Sequence, residues 1–147
     1  ERFGFIPQKV WQEERTRAQD LIRHNIEFQA QGYDIDKACV ELTLENARKA
    51  GVANYIKASV ADIADFTPPA KRCLTITNPP YGERLLDVKS AEKLYQTMGE
   101  RFLEGEGRKY YIISPHDEFE KHFGKEADKR RKLYNGMIKC QLYMYFK

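Results

Sequence analysis

The stretch that decides the fold is 75–85, TITNPPYGERL. A β-branched run ends in an asparagine, two adjacent prolines, a tyrosine and a glycine. A strand that merely turned would need one proline or one glycine. Prolines have no N–H, so Pro79 and Pro80 present carbonyls without donors, and their fixed φ holds those carbonyls stiffly. The Asn78 amide oxygen adds another neutral acceptor. Together with the Pro79 carbonyl it can accept both hydrogens of one planar amino group. An aromatic amine is a poor nucleophile, and two fixed acceptors would hold it and favour charge building on its nitrogen during attack. Tyr81 can stack on the flat base that carries the amine. The bland alternative is a rigid polyproline turn with no chemistry.

Outward from this stretch, strands alternate with helices. RCLTITN (72–78) reads as a strand, SAEKLYQTMGERFLE (90–104) as a helix with Leu94, Met98 and Phe102 in register, and KYYIIS (109–114) as a strand buried on both faces. Upstream, 8–24 reads as a helix with Val10, Trp11, Ala18, Leu21 and Ile22 on one broad face. IEFQAQGYDID (26–36) alternates as a strand does and ends at Asp34 and Asp36. KACVELTLENARKAG (37–51) is a helix with Asp36 as N-cap, Gly51 as terminator, and Ala38, Cys39, Leu42, Asn46 and Ala50 on one face. YIKASV (55–60) is a short strand before a turn-rich loop. At the end, RRKLYNGMIKCQLYMYF (130–146) reads as two strands joined by Asn135-Gly136, a strong hairpin signal. The order predicts an α/β fold, a mostly parallel sheet with a C-terminal antiparallel hairpin.

Composition excludes several classes. The 147 residues are 41% hydrophobic and 32% charged with a net charge of +3, and no apolar run approaches a membrane span. Cys39, Cys73 and Cys140 are odd in number and widely spaced, and the histidines are scattered, so neither a disulfide framework nor a metal site is expected. Free thiols in apolar surroundings suit a reducing, cytoplasmic setting. Residues 121–132 carry six Lys/Arg against two acids, a run that reads equally as a solvated face or as a contact for the phosphates of a polyanion. Ligands of open parallel sheets bind beyond the carboxyl ends of the strands. Three such ends, GYDID, SVADIADF and TNPPYG, carry polar or special residues. Asp36 and Asp62 can also be read as a helix cap and a turn residue.

TNPPYGERL resembles the NPPY motif of S-adenosylmethionine-dependent amino-methyltransferases. More closely, it resembles the THUMP-associated bacterial enzymes often labelled N6-adenine-specific methylases, whose relatives methylate guanine N2 in large-subunit ribosomal RNA. The likeness also runs through GYDID, ENARKAGV, KLYQTMGERF and KLYNGMIKCQLYMYF. It implies a class I, Rossmann-like methyltransferase domain. Asp34 would bond the cofactor ribose, Ile35 would pack on its adenine, Asp62 would accept from the adenine amine, and the Ile63 backbone would lie nearby. Asn78, Pro79, Pro80 and Tyr81 would bind the target base. Glu83 and Arg84 match the family, and a loop salt bridge is their expected role. No glycine-rich loop precedes GYDID, so the first strand, expected between the GYDI and LTIT strands, and the N-terminal THUMP region are taken to lie outside residues 1–147. The chain alone is expected to bind S-adenosylmethionine poorly.

The resemblance implies methyl transfer to an exocyclic base amine, with guanine N2 of 23S ribosomal RNA as first choice and no metal. The alternatives are adenine N6 in DNA, a protein glutamine amide, or a non-catalytic RNA-binding module on the same scaffold.

Overall fold

A computed structural model describes residues 3–23, 27–81, 87–104 and 106–146. Its helices are α1 (Gln8–Asp20), α2 (Lys37–Lys49), α3 (Val88–Phe102) and α4 (Phe119–Phe123). Its strands are β1 (Ala30–Asp34), β2 (Ile56–Val60), β3 (Cys73–Thr77), β4 (Arg108–Ser114), β5 (Lys129–Asn135) and β6 (Ile138–Phe146). No helix among the described residues is long and apolar enough to cross a membrane.

The chain divides into two units, 1–30 and 31–147. In the first, α1 buries none of its residues, and it stops before Leu21 and Ile22, which are exposed. The apolar face expected there is therefore not a core face. The strand expected from Ile26 begins only at Ala30. Ile26 lies outside the described residues, and Phe28 is exposed.

In the second unit the strands form two pieces, β1-β2 and β3-β4-β6-β5. β3 and β4 are parallel, while β6 runs antiparallel to both β4 and β5. Among the described residues no ladder joins β1 to β3, which sit in separate pieces. The core lies on one side of the four-stranded piece. Ala91, Tyr95, Met98 and Phe102 of α3 and Phe119 and Phe123 of α4 pack there on Tyr110, Ile112, Tyr143 and Tyr145. Burial along β4 alternates, with Tyr110, Ile112 and Ser114 buried and Tyr111 and Ile113 only partly so. The expectation of a strand buried on both faces is corrected. α3 and α4 cover one face, and on the other Leu74 and Ile76 are 58% and 74% exposed.

α2 also departs from its expected face. Asp36 caps it, accepting from the Ala38 N–H at 2.8 Å, and Gly51 takes φ 73° just past its end. The buried stripe, however, is Val40 and Ala47 with Leu44 partly buried, whereas Leu42 and Cys39 are exposed. A stripe spaced four and three residues apart meets β2, and composition alone did not choose between it and the next stripe. The hairpin holds, with its turn one residue on. Asn135 pairs with Ile138, so Gly136 and Met137 form the loop, and Gly136 alone has positive φ. Glycine at the first central position suits a type II′ turn.

α3 and α4 approach so closely that a Cβ on Gly99 would lie 1.9 Å from the Phe123 carbonyl oxygen. Gly99→Ala should therefore destabilise the fold by about 1–3 kcal/mol. A urea melt checks this, and an unchanged midpoint would refute the close contact.

Candidate functional site

β3 delivers Asn78, Pro79, Pro80 and Tyr81 beyond its carboxyl end. Pro79 is buried, and Asn78 is exposed. Three contacts fix the turn. The Tyr81 hydroxyl donates to Asn78 Oδ1 in a short bond, and Asn135 Nδ2 donates to that hydroxyl at 3.2 Å. The Tyr95 hydroxyl donates to the Pro80 carbonyl at 3.2 Å. Behind it, Ser114 Oγ lies 3.4 Å from the Tyr95 hydroxyl and accepts the His116 N–H at 3.1 Å. Desolvation raises the Tyr81 and Tyr95 hydroxyls above the ordinary phenol value, with smaller hydrogen-bond and charge effects of both signs on each, so both stay protonated donors.

These bonds distinguish the four residues. The Pro80 carbonyl is held internally by α3. Asn78 Oδ1 receives one bond from Tyr81 and keeps a second lone pair, facing solvent with the rest of its side chain. Tyr81 is clamped between its own loop and the hairpin tip. Arrayed in this way, the turn can offer a neutral acceptor beside a fixed aromatic ring. Tyr95, Ser114 and Asn135 were missed in the sequence. Tyr95 reads there only as a helix residue and Asn135 only as a turn residue, and nothing local signals that either reaches the loop. Glu83 and Arg84 lie outside the described residues.

The second group gathers at the ends of β1 and β2. The Ala61 N–H donates to the Asp34 carbonyl at 3.0 Å, which draws the two loops together. Asp34 Oδ1 accepts the Asp36 N–H at 2.9 Å, and Asp62 Oδ1 accepts the Ala64 N–H at 2.8 Å, capping a 3-10 turn over Ile63–Asp65. Each aspartate thus uses one oxygen for its own loop and keeps the other. The Ile35 side chain is 72% exposed, whereas Ile63 packs against the core below α3. No hydrogen bond among the described residues joins this group to the first. Cys39 is exposed beside it rather than in apolar surroundings. Its thiol is raised above the ordinary value, by desolvation first and then by the Asp34 and Asp36 carboxylates.

The histidines correct an expectation. His116 and His122 are not scattered, because both Nε2 atoms face Glu92 Oε1, at 3.6 Å and 3.3 Å. His116 Nδ1 accepts the Glu118 N–H at 3.2 Å. In the neutral ring that places the proton on Nε2, aimed at the carboxylate. The ligand atoms of Glu92, His116 and His122 all lie within 4.8 Å of one another, so the expectation that no such cluster forms is corrected.

The basic run 121–132 is also more structured than its charge suggests. Lys121 pairs with Glu118, Arg130 pairs with Glu120, and Lys125 lies over the Tyr145 ring. Phe119 and Phe123 are buried in α4, a helix not expected from the sequence.

Residues 3–144 match the family model described as UPF0020, RMKL-like, methyltransferase domain. Over 154 residues the chain is 36% identical to the ribosomal RNA large subunit methyltransferase K/L of Shewanella amazonensis, covering 99% of this chain and 22% of that protein. A possible methylase from Clostridium difficile 630 superposes with a TM-score of 0.87 at 40% identity, over 98% of this chain and 38% of the other. The protein SMU.472, solved in complex with SAH, gives a TM-score of 0.87 at 35% identity, over 98% and 38%. The chain therefore spans well under half the length of each of these relatives. By the extent of the family match and the shared fold, it belongs to the RMKL-like methyltransferase-domain family.

Proposed function

We propose that the protein containing this chain transfers a methyl group from S-adenosylmethionine to an exocyclic base amine, with guanine N2 of 23S ribosomal RNA as its target and the cytoplasm as its setting. The observation that carries the reading is the clamped Asn78–Tyr81 turn. It holds a neutral acceptor and an aromatic ring at the carboxyl end of a strand, where a planar amine can be bonded and stacked at once. Support comes from the ribosomal RNA methyltransferase relative and from the SAH complex of SMU.472.

In this reading, Asn78 Oδ1 and the Pro79 carbonyl accept the two amine hydrogens. As the nitrogen attacks the methyl carbon, the bond to sulfur breaks and the nitrogen gains positive charge, which the two acceptors favour. The extra proton then leaves to solvent. Tyr81 stacks on the base, and Pro80 fixes the turn through Tyr95. The free oxygen of Asp34 takes the cofactor ribose, Ile35 lies on its adenine, and Asp62 accepts from the adenine amine beside the Ile63 backbone. The strand between β1 and β3, the glycine-rich loop for the methionine end and a THUMP region would come from segments outside residues 1–147.

Two substitutions in the intact protein test these roles. Asn78→Ala should fold normally and lower methyl transfer about 10²- to 10³-fold, since it removes one preorganised bond to developing charge. Turnover within a few-fold of the parent would end the assigned role. Asp34→Ala should weaken S-adenosylmethionine binding in a calorimetric titration, and unaltered affinity would remove the ribose contact.

A further inference from the structure

The β5–β6 hairpin overhangs the sheet. Ser114, the last residue of β4, pairs with Gln141, and β6 begins at Ile138. Three residues of β6 therefore project past β4, about 10 Å at 3.3 Å per residue, with β5 beside them. Opposed residues of an antiparallel pair point to the same side. One side of the overhang carries the pairs Leu133–Cys140 and Asn135–Ile138. That side meets the candidate site, since Asn135 bonds Tyr81. The other side carries Tyr134–Lys139 and Lys132–Gln141. Here Tyr134 is 63% exposed, with the Lys132 ammonium 5.3 Å from its ring centroid, and Met137 at the tip is 98% exposed. Among the described residues no carboxylate pairs with Lys132 or Lys139, although Lys121 and Arg130 nearby are both paired.

Tyr134 thus presents an exposed ring with Lys132 at its face and Lys139 opposite it in register, on a hairpin whose other side meets the acceptor turn, a pairing of aromatic ring and cations suited to an unpaired nucleic-acid strand. We infer that the overhang is a platform for a single-stranded RNA segment next to the modified nucleotide. A flanking base stacks on Tyr134, and Lys132 and Lys139 hold its phosphates. The inference rests on the reading that Tyr81 receives an unstacked base. The Asn135–Tyr81 bond sets the Gly136–Met137 tip beside that base, within reach of its neighbours, and stacking with backbone cations is the usual way to hold unpaired strands.

The test is fluorescence anisotropy of the protein with a short fluorescein-labelled single-stranded RNA, without cofactor, across a salt series. Because it reads binding alone, its failure is separable from a failure of methyl transfer. Tyr134→Ala should weaken binding about fivefold or more, and Tyr134→Phe should restore it. The double variant Lys132→Ala, Lys139→Ala should reduce the log–log salt slope by about 1.4, at roughly 0.7 per phosphate contact on a single strand. Circular dichroism confirms that the variants fold, as expected for exposed positions. Affinity and slope that stay at parental values in both variants, or the absence of RNA binding by the parent, would overturn the inference.

Discussion

One face of α3 anchors both halves of the site. Tyr95 and Phe102 lie seven residues apart, two turns along the helix, and both are buried. The Tyr95 hydroxyl holds the Pro80 carbonyl. The Phe102 ring meets Phe66 at 5.3 Å, and Phe66 meets Tyr33 of β1 at 5.8 Å. A single helix face thereby fixes the acceptor turn at one end and ties the β1-β2 piece to the larger sheet at the other. Packing supplies most of the energy. Burying a large side chain is worth about 1.5–3 kcal/mol, whereas one hydrogen bond adds about 0.5–1.5 kcal/mol net. The rings hold the helix down, and the hydroxyl aims the loop.

The same economy of groups lets Asp34 and Asp62 close their own turns and still offer an acceptor. A carboxylate offers about four acceptor positions. In each aspartate one oxygen closes the local turn, which fixes the side chain's direction. The other oxygen is then presented at a strand end without further cost in side-chain order. For Asp62, the readings as a turn residue and as a ligand contact are therefore compatible in one side chain.

How much of this was legible in the sequence follows from the range of the forces involved. The order of elements apart from α4, the Asp36 cap, the Gly51 stop and the existence of the hairpin depend on neighbouring residues, so pattern alone revealed them. The acceptor turn was legible because consecutive prolines restrict the backbone whatever surrounds them. The covered faces were not. Leu42 and Leu44 are equally apolar, and only the position of β2 selects Leu44 with Val40 and Ala47. Tyr111 and Ile113 look as buried as Tyr110 and Ile112, until the placement of α3 and α4 separates them. The anchors Tyr95 and Asn135 lie 15 and 54 residues from the groups they hold. No local pattern encodes such pairings, and the facing of His116 and His122 toward Glu92 was hidden for the same reason.

The central claim is that the clamped turn after β3 serves methylation of a base amine in ribosomal RNA. Its most direct measurement is mass spectrometry of nucleosides from the 23S ribosomal RNA of cells with and without the gene. The account predicts the loss of N2-methylguanosine at one position, restored by the parental gene and not by the Asn78→Ala variant. An unchanged set of methylated nucleosides, or a loss confined to N6-methyladenosine, would contradict it.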